Sequence, residues 1–560
     1  MLKRTISIVL TFCLLFMLLL TSCAKTPEAV TPAEPEPEAP EVSEPAKDTE
    51  DEPEPDDEVV DWWEPYPEPV TITIFNAMAT DAIYPDGDDI EHNIWTREYK
   101  ERFNIDVVTE WVSDDYATKL NLAISSKSLA DMFHVDNAQF AQLKEAGALY
   151  DITDVYEDYV SDGMRSLMES DPDVFETAKT DGRLFGTPHL HYGYMSMPNY
   201  VWLRKDWMEE GQYEPPETIE ELEAIMKDFM AKHGGYGMAI DQTLRYLLYM
   251  TPCFGAYHDI WVDGDDGTIQ YSSIQPEMKT ALETFAQWYK DGILDSEFAS
   301  KDYNAMIEDV VNGKVGAQPF LNWWGYAVGP DIIRNISDKA YFEPYALPSA
   351  DGKKVMHPVP FPNSAYSVVN KDCKHPEALI KLLNFKYYIA NESVALGDKT
   401  VEEVTTYTGN NLDHITRPFY FQNPLDEFNQ YVEVQEGLRL GDSYKFNSPT
   451  AQLKYNCALD FLERGDPDGI GYVLQVGADR CSYAVGKSDV EEDNFIRSKL
   501  WGETPEIVLE YGSTLKDLLV EGFTKIIVGA EPIDYFETIV ENWKAAGGDE
   551  ATAAVNAAYK

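Results

Sequence analysis

Val70-Thr71-Ile72-Thr73-Ile74-Phe75 is a run of β-branched and apolar residues closed by Asn76. It has the pattern of a first strand entering a core. Working outward, residues 90–103 carry helical spacing, 105–111 read as a second strand, 115–126 as a helix, and Met132–Val135 as a third strand. Strands alternating with helices predict an α/β body with a largely parallel sheet. Farther along, Thr218 and Glu221 form a capping box ahead of a helix to about Ala231. Pro276 opens another helix that runs to Tyr289. Gly234-Gly235 and Gly547-Gly548 punctuate helix ends. No repeat with a period of 20–50 residues occurs, which excludes a solenoid or propeller.

Upstream of Val70 the composition changes. Residues 24–69 hold 11 Pro, 17 Asp+Glu and 2 Lys. Such a segment has little apolar surface to bury and repels itself, so an extended, disordered acidic linker is expected. Fully stretched it would reach on the order of 140 Å. Before it, Lys3 and Arg4 precede an apolar run from Ile6 to Leu20. That run is too short for the roughly 30 Å hydrocarbon layer, and it reads as a signal-peptide core. It ends in Leu20-Thr21-Ser22-Cys23, which resembles the lipobox of bacterial lipoproteins. The resemblance implies cleavage after residue 22 and a lipidated Cys23. The alternative is an ordinary secretory signal with a chance cysteine at its end.

The whole chain of 560 residues carries 99 Asp+Glu against 44 Lys+Arg, a net charge of −55, and residues 70–560 alone carry −42. Nucleic-acid binding draws on Lys and Arg neutralising phosphates, so that class is excluded. Six cysteines with no Cys-x-x-Cys pair signal neither a disulfide scaffold nor a cysteine zinc site.

Several stretches together resemble the extracellular solute-binding lipoproteins of ABC importers, in particular a large branch associated with oligosaccharide uptake in Gram-positive bacteria. They are Val70–Phe75, Leu129-Ala130-Asp131-Met132-Phe133, Gln142–Gly147, Val201–Met208, Pro216-Glu217-Thr218, Pro276–Phe298, Asn312–Ala317, Trp323-Trp324, Phe523–Gly529 and Trp543–Gly548. Their order carries the likeness. Ala130 departs from it, since the family more often has proline there. The resemblance implies a two-lobed, type II periplasmic-binding-protein-like α/β fold whose interlobe cleft clamps a ligand by hinge closure. It further implies segments 1–22 (signal peptide), 23–69 (lipidated cysteine and linker) and 70–560 (body). Lobe 1 is expected at about 70–185 and 340–420, and lobe 2 at about 190–335 and 430–560. The partners implied are an oligosaccharide, an ABC permease and a membrane reached through the lipid anchor, with a monomeric body and no cofactor.

A sugar offers C–H faces and hydroxyl edges, so its cleft needs aromatic planes flanked by Asp, Asn, His or Tyr groups. Asn322-Trp323-Trp324 follows a strand-like 314–320; either indole can stack on a ligand or anchor the core. His189, His191 and Tyr194 lie where the chain crosses between lobes, as cleft donors or as loop residues. Asn76 and Asp136 follow strands, where open α/β sheets tend to bind ligands, although turn and helix-cap roles compete. Asn363 and Tyr366 are candidates for a second rim. Trp202, Arg204 and Trp207 read as scaffold.

Other motifs fail on inspection. Gly486-Lys487-Ser488 lacks the first glycine of a phosphate loop, because position 481 is cysteine. Asp263-Gly264-Asp265-Asp266-Gly267 is out of register for an EF-hand and reads as a turn. No metal site is expected from the His-x-His of His189 and His191. Neither His-Glu-x-x-His nor Gly-x-Ser-x-Gly occurs, and chance acid pairs among so many carboxylates cannot signal a glycosidase. The expectation is therefore a non-enzymatic receptor. A peptide or other small solute as ligand, a surface polysaccharide hydrolase or lyase, and an adhesin are the alternatives.

Overall fold

The computed structural model describes residues 60–77, 84–191, 193–264, 266–363, 365–398, 400, 418–502 and 504–559. The expected leader, Cys23 and the linker as far as residue 59 lie outside the described residues. No helix among the described residues is long and apolar enough to cross a membrane.

Strand β1 (Val70–Ala77) buries Ile72 and Ile74 while Thr71 and Thr73 point outward. Helix α1 (Ile94–Phe103) starts at a capping box of Asn93 with Thr96 and ends at Asn104 in the left-handed region. Its buried face is Trp95, Tyr99 and Phe103. β2 (Ile105–Ser113), α2 (Tyr116–Ser126), β3 (Met132–Val135) and α3 (Asn137–Glu145) follow in the predicted alternation. Asp115 and Asp136 cap α2 and α3 through the Thr118 and Gln139 amides.

Among the described residues two main sheets form, one per lobe, beside three two-stranded ribbons, one of which holds β9 (His357–Val359). The lobe 1 sheet has the order β2-β1-β3-β10-β4, with β4 at Thr187–Pro188 and β10 at Tyr366–Val369. The lobe 2 sheet has the order β8-β5-β7-β6, with β5 at Tyr200–Arg204, β6 at Tyr236–Met238, β7 at Val315–Phe320 and β8 at Phe342–Ala346. Both sheets are mixed, where a largely parallel one was expected, and for one reason. β10 runs antiparallel to β3 and β4, and β5 runs antiparallel to β7 and β8. These are the two strands by which the chain enters each lobe from the other. Every other strand of the two sheets runs toward the edge where the crossings occur. Phe342–Ala346 pairs with β5, so the strand expected in lobe 1 belongs to lobe 2. A residue's lobe is set by its pairing partner, which local pattern does not carry.

Lobe 1 has one core, where Phe385 of α7 (Glu377–Asn391) meets Tyr99 and Phe103 edge-on. Lobe 2 has two. One lies against α4 (Ile219–His233), α5 (Glu277–Lys290) and α10 (Glu506–Ile527), the other against α6 (Trp324–Asn335). Each fully buried Leu, Ile or Phe contributes about 1.5–3 kcal/mol. The body also begins earlier than Val70. Trp63 stacks on Phe103 and meets Tyr388 edge-on, and the Tyr66 hydroxyl donates to Glu377 at 2.7 Å. The aromatic residues at the foot of the acidic segment are thus docked on lobe 1.

Candidate functional site

The strand directions bring the carboxyl ends of β1, β2, β3 and β4 in lobe 1, and of β6, β7 and β8 in lobe 2, to the crossing edges. In lobe 1, Asn76 is 2% exposed near the end of β1. Trp111 lies on Phe75 at 4.3 Å and beside Tyr116 at 5.3 Å. Tyr116 stacks on His134 at 4.0 Å, and His134 leads through His189 to Tyr420. A belt of rings thus runs from the sheet edge to the third crossing segment. Asp136 is exposed at the mouth, its carboxylate engaged at the α3 cap.

In lobe 2 the adjacent tryptophans after β7 part company. Trp324 is fully buried on Phe320, while Trp323 is 41% exposed and meets Phe320 edge-on at 4.6 Å. Tyr246 stacks on the same Phe320 at 4.9 Å. The turn is held by Trp202 Nε1, which donates to the Leu321 carbonyl at 3.2 Å, and by Asn322 Nδ2, which donates to the Tyr483 hydroxyl at 3.0 Å. Trp323 is therefore a braced, outward indole at the carboxyl end of a central strand, and Trp324 is a core anchor.

The candidates on the crossings are occupied. His189 Nε2 meets Ser367 Oγ at 2.9 Å, and its backbone links to both other crossings, donating to Ala365 and accepting from Gln422. The Gly193 amide donates to His191 Nδ1 at 3.0 Å, so the ring proton sits on Nε2, which donates to Asp171 at 2.9 Å. Burial would raise the Asp171 pKa, but the His191 hydrogen bond and the Val174 amide outweigh it and hold the carboxyl below its usual range. Tyr194 packs on His191 and meets Arg497 Nε at 3.2 Å. Tyr366 stacks on Phe140 and its hydroxyl bonds Thr177 at 2.7 Å. His189, His191 and Tyr194, expected as cleft donors, thus have their ring or hydroxyl atoms engaged along the crossings, and Tyr366, expected at a second rim, sits in the lobe 1 core. Asn363 differs. It is 1% exposed, neither atom of its side-chain amide has a hydrogen-bond partner, and its carbonyl accepts from Asn137 at 3.2 Å.

The crossings pass close to one another. Gly193 has φ +90, and a Cβ there would come within 1.9 Å of the Pro424 carbonyl oxygen. Only glycine allows both the backbone and the approach.

Sequence reasoning missed a cavity of about 190 Å³ beside the third crossing. Trp95 and the end of α7, including Lys386 and Asn391, wall it on the lobe 1 side. Opposite stand Asp426 and Glu427, in the first turn of α8 (Asp426–Leu440), and the start of α9 (Pro449–Arg464). α9 packs into the lobe 2 core through Ala458. Tyr420 ties the cavity to the ring belt. Burial pushes the Asp426 and Glu427 carboxyls up against the opposing pull of Lys454. Trp95 and the acid pair gave no sequence signal, since one opens an amphipathic helix and the other reads as ordinary first-turn acids.

Two lobes, three crossings and a ring-lined edge define a hinged binding protein, and the comparisons agree. Residues 81–387 match the family of bacterial extracellular solute-binding proteins, and the chain belongs to it. The fructooligosaccharide ABC transporter substrate-binding protein FusA of Streptococcus pneumoniae is 24% identical over 240 residues, 38% of this chain and 44% of FusA. The chain thus spans less than half the length of that relative. Lipoprotein LipO of Bacillus subtilis is 20% identical over 479 residues, 81% of this chain and 86% of LipO. An HMO-binding, ABC-transporter-associated solute-binding protein from Bifidobacterium longum infantis shares the fold, with TM-score 0.57, 12% identity, and coverage of 88% of this chain and 98% of that one.

Proposed function

We propose that the protein is a lipid-anchored, monomeric, non-enzymatic receptor that captures a carbohydrate between its lobes and delivers it to an ABC importer permease. The observation that carries this is the braced, outward Trp323 across the crossings from the Trp111–Tyr116–His134 belt. Aromatic planes on both sides suit the C–H faces of a sugar, and FusA carries a fructooligosaccharide in its name. In this role Trp323, Asn76, Asp136 and Asn363 contact ligand, His189, His191 and Tyr194 set the hinge, and Tyr366 supports lobe 1 behind the rim. Asn322 and Trp324 hold the Trp323 turn. A ligand that touches both lobes only when they are shut shifts the population toward the closed state, which the permease reads.

A thermal-shift screen over oligosaccharides tests this. A ligand at 100 times its dissociation constant adds about 2.7 kcal/mol. Trp323→Ala is expected to weaken the hit about 10–100-fold with folding intact. Unchanged affinity would remove Trp323 from the site, and no hit among carbohydrates would remove the role. Anchoring is tested separately: Cys23→Ser is expected to release the protein from cells into the medium.

A further inference from the structure

We propose that Gln475 is a positioning residue for Trp323: its side chain, carried on a π turn (Val473–Gly477), fixes the direction of the outward indole through Tyr326. This rests on the carbohydrate role above, in which Trp323 contacts ligand, and names what holds that contact in place. The Trp323 carbonyl accepts from the Tyr326 amide at 3.0 Å, which closes the first turn of α6 on it. The hydroxyl of the same Tyr326 donates to Gln475 Oε1 at 3.0 Å. Lys454 of α9 donates to that oxygen as well, at 3.1 Å. An ammonium offers donors only, so the Gln475 amide must face it with its oxygen, and Tyr326 is the second donor. One tyrosine thus joins the backbone of Trp323 to the π turn.

The π turn is itself held from several sides. Gln435 of α8 donates through Nε2 to the Val476 carbonyl at 2.6 Å. Shortly after the turn, Ser482 Oγ donates to the Asn322 carbonyl at 3.1 Å, and the Tyr483 hydroxyl accepts from Asn322 Nδ2. The ring of Tyr326 lies close against the segment, since a Cβ on Gly471 would come within 2.5 Å of its Cδ1. Gln475 is buried, so replacing its amide by an apolar group leaves the Tyr326 hydroxyl and the Lys454 ammonium without their shared acceptor. A π turn is a rare, widened helical turn that recurs at functional sites. Here it is where α6, α8 and α9 meet, so a braced frame presents the indole.

The test uses the full-length mature protein and two readouts. The first needs no ligand. Fluorotryptophan is incorporated, and the Trp323 fluorine resonance is identified by its loss in Trp323→Phe. Tyr326→Phe and Gln475→Met are expected to shift or broaden that resonance, whereas Gln475→Glu, which keeps an acceptor for both donors, should leave it in place. The second readout is calorimetric titration with glucose- and fructose-based oligosaccharides. Gln475→Met is expected to weaken the hit about 5–10-fold when Trp323 is present and less than about 2-fold in a Trp323→Ala background. Tyr326→Phe takes its place in this cycle should Gln475→Met fail to fold. An unmoved Trp323 resonance overturns the positioning role while the carbohydrate role stands. So does a loss of affinity that is absent, or equal in the two backgrounds. If no oligosaccharide binds, the carbohydrate role falls, and the resonance alone decides whether Gln475 positions the indole.

Discussion

The two edges of the lobe 2 sheet are built to opposite ends. At the far edge, beside the start of β6 and β7, Asp309 is 5% exposed and fully engaged. It accepts from Tyr236 at 2.6 Å, from Lys301 at 2.5 Å and from Lys314 at 2.5 Å. At the crossing edge the same sheet ends in an outward indole, and the adjoining crossing carries a buried amide without partners. Saturated contacts hold a lobe rigid. Uncommitted faces and amides, set on that rigid frame, are what a ligand can use.

Substitutions can break or sharpen this contrast. The largest effect is expected at the anchor beside the site. Trp324→Ala empties a fully buried position and should cost about 3–5 kcal/mol in urea unfolding; a cost below about 1 kcal/mol would show that the anchor is dispensable. Next comes the far edge. Burial would raise the Asp309 pKa, but hydrogen bonds from Lys301, Lys314 and Tyr236 outweigh it and hold it at about 2, below the usual carboxylate range. A carboxyl lowered on folding stabilises above its unfolded pKa and loses that contribution as pH falls through the folded one. On the order of 2 kcal/mol should therefore be present above pH 4 and vanish toward pH 2. Acid titration of Asp309→Asn should show a shallower limb, and an identical limb would contradict the knot. At the hinge, Gly193→Ala should destabilise by about 1–3 kcal/mol and slow ligand-induced closure, seen by stopped-flow fluorescence. The smallest effect on folding is expected at the site itself. Trp323→Ala should change stability by less than about 1 kcal/mol, and a loss as large as that of Trp324→Ala would erase the distinction between neighbours.

The candidate site was legible where local chemistry and position coincide. Trp323 and Asp136 follow strands, and strand ends can be read from the change of pattern. Trp111 and His134, near the ends of β2 and β3, carry the same kind of signal, whereas Tyr116 opens α2 and does not. The engagement of the crossing histidines was not legible, for a physical reason. A histidine between lobes looks like a donor until its partners are known, and Asp171 lies 20 residues from His191. Trp95, Asp426 and Glu427 come from segments more than 300 residues apart, and only folding makes them one cavity.

By itself the sequence determined the α/β alternation, the acidic stretch ahead of the body and the order of segments that marks the family. These follow from hydrophobic period, caps and composition, which act over a few residues. The tertiary structure decided which strand of each sheet runs backwards, which tryptophan of an adjacent pair faces out, and which polar groups remain unpaired. Those outcomes depend on contacts between distant segments, where a side chain's role is set by what the rest of the chain places against it.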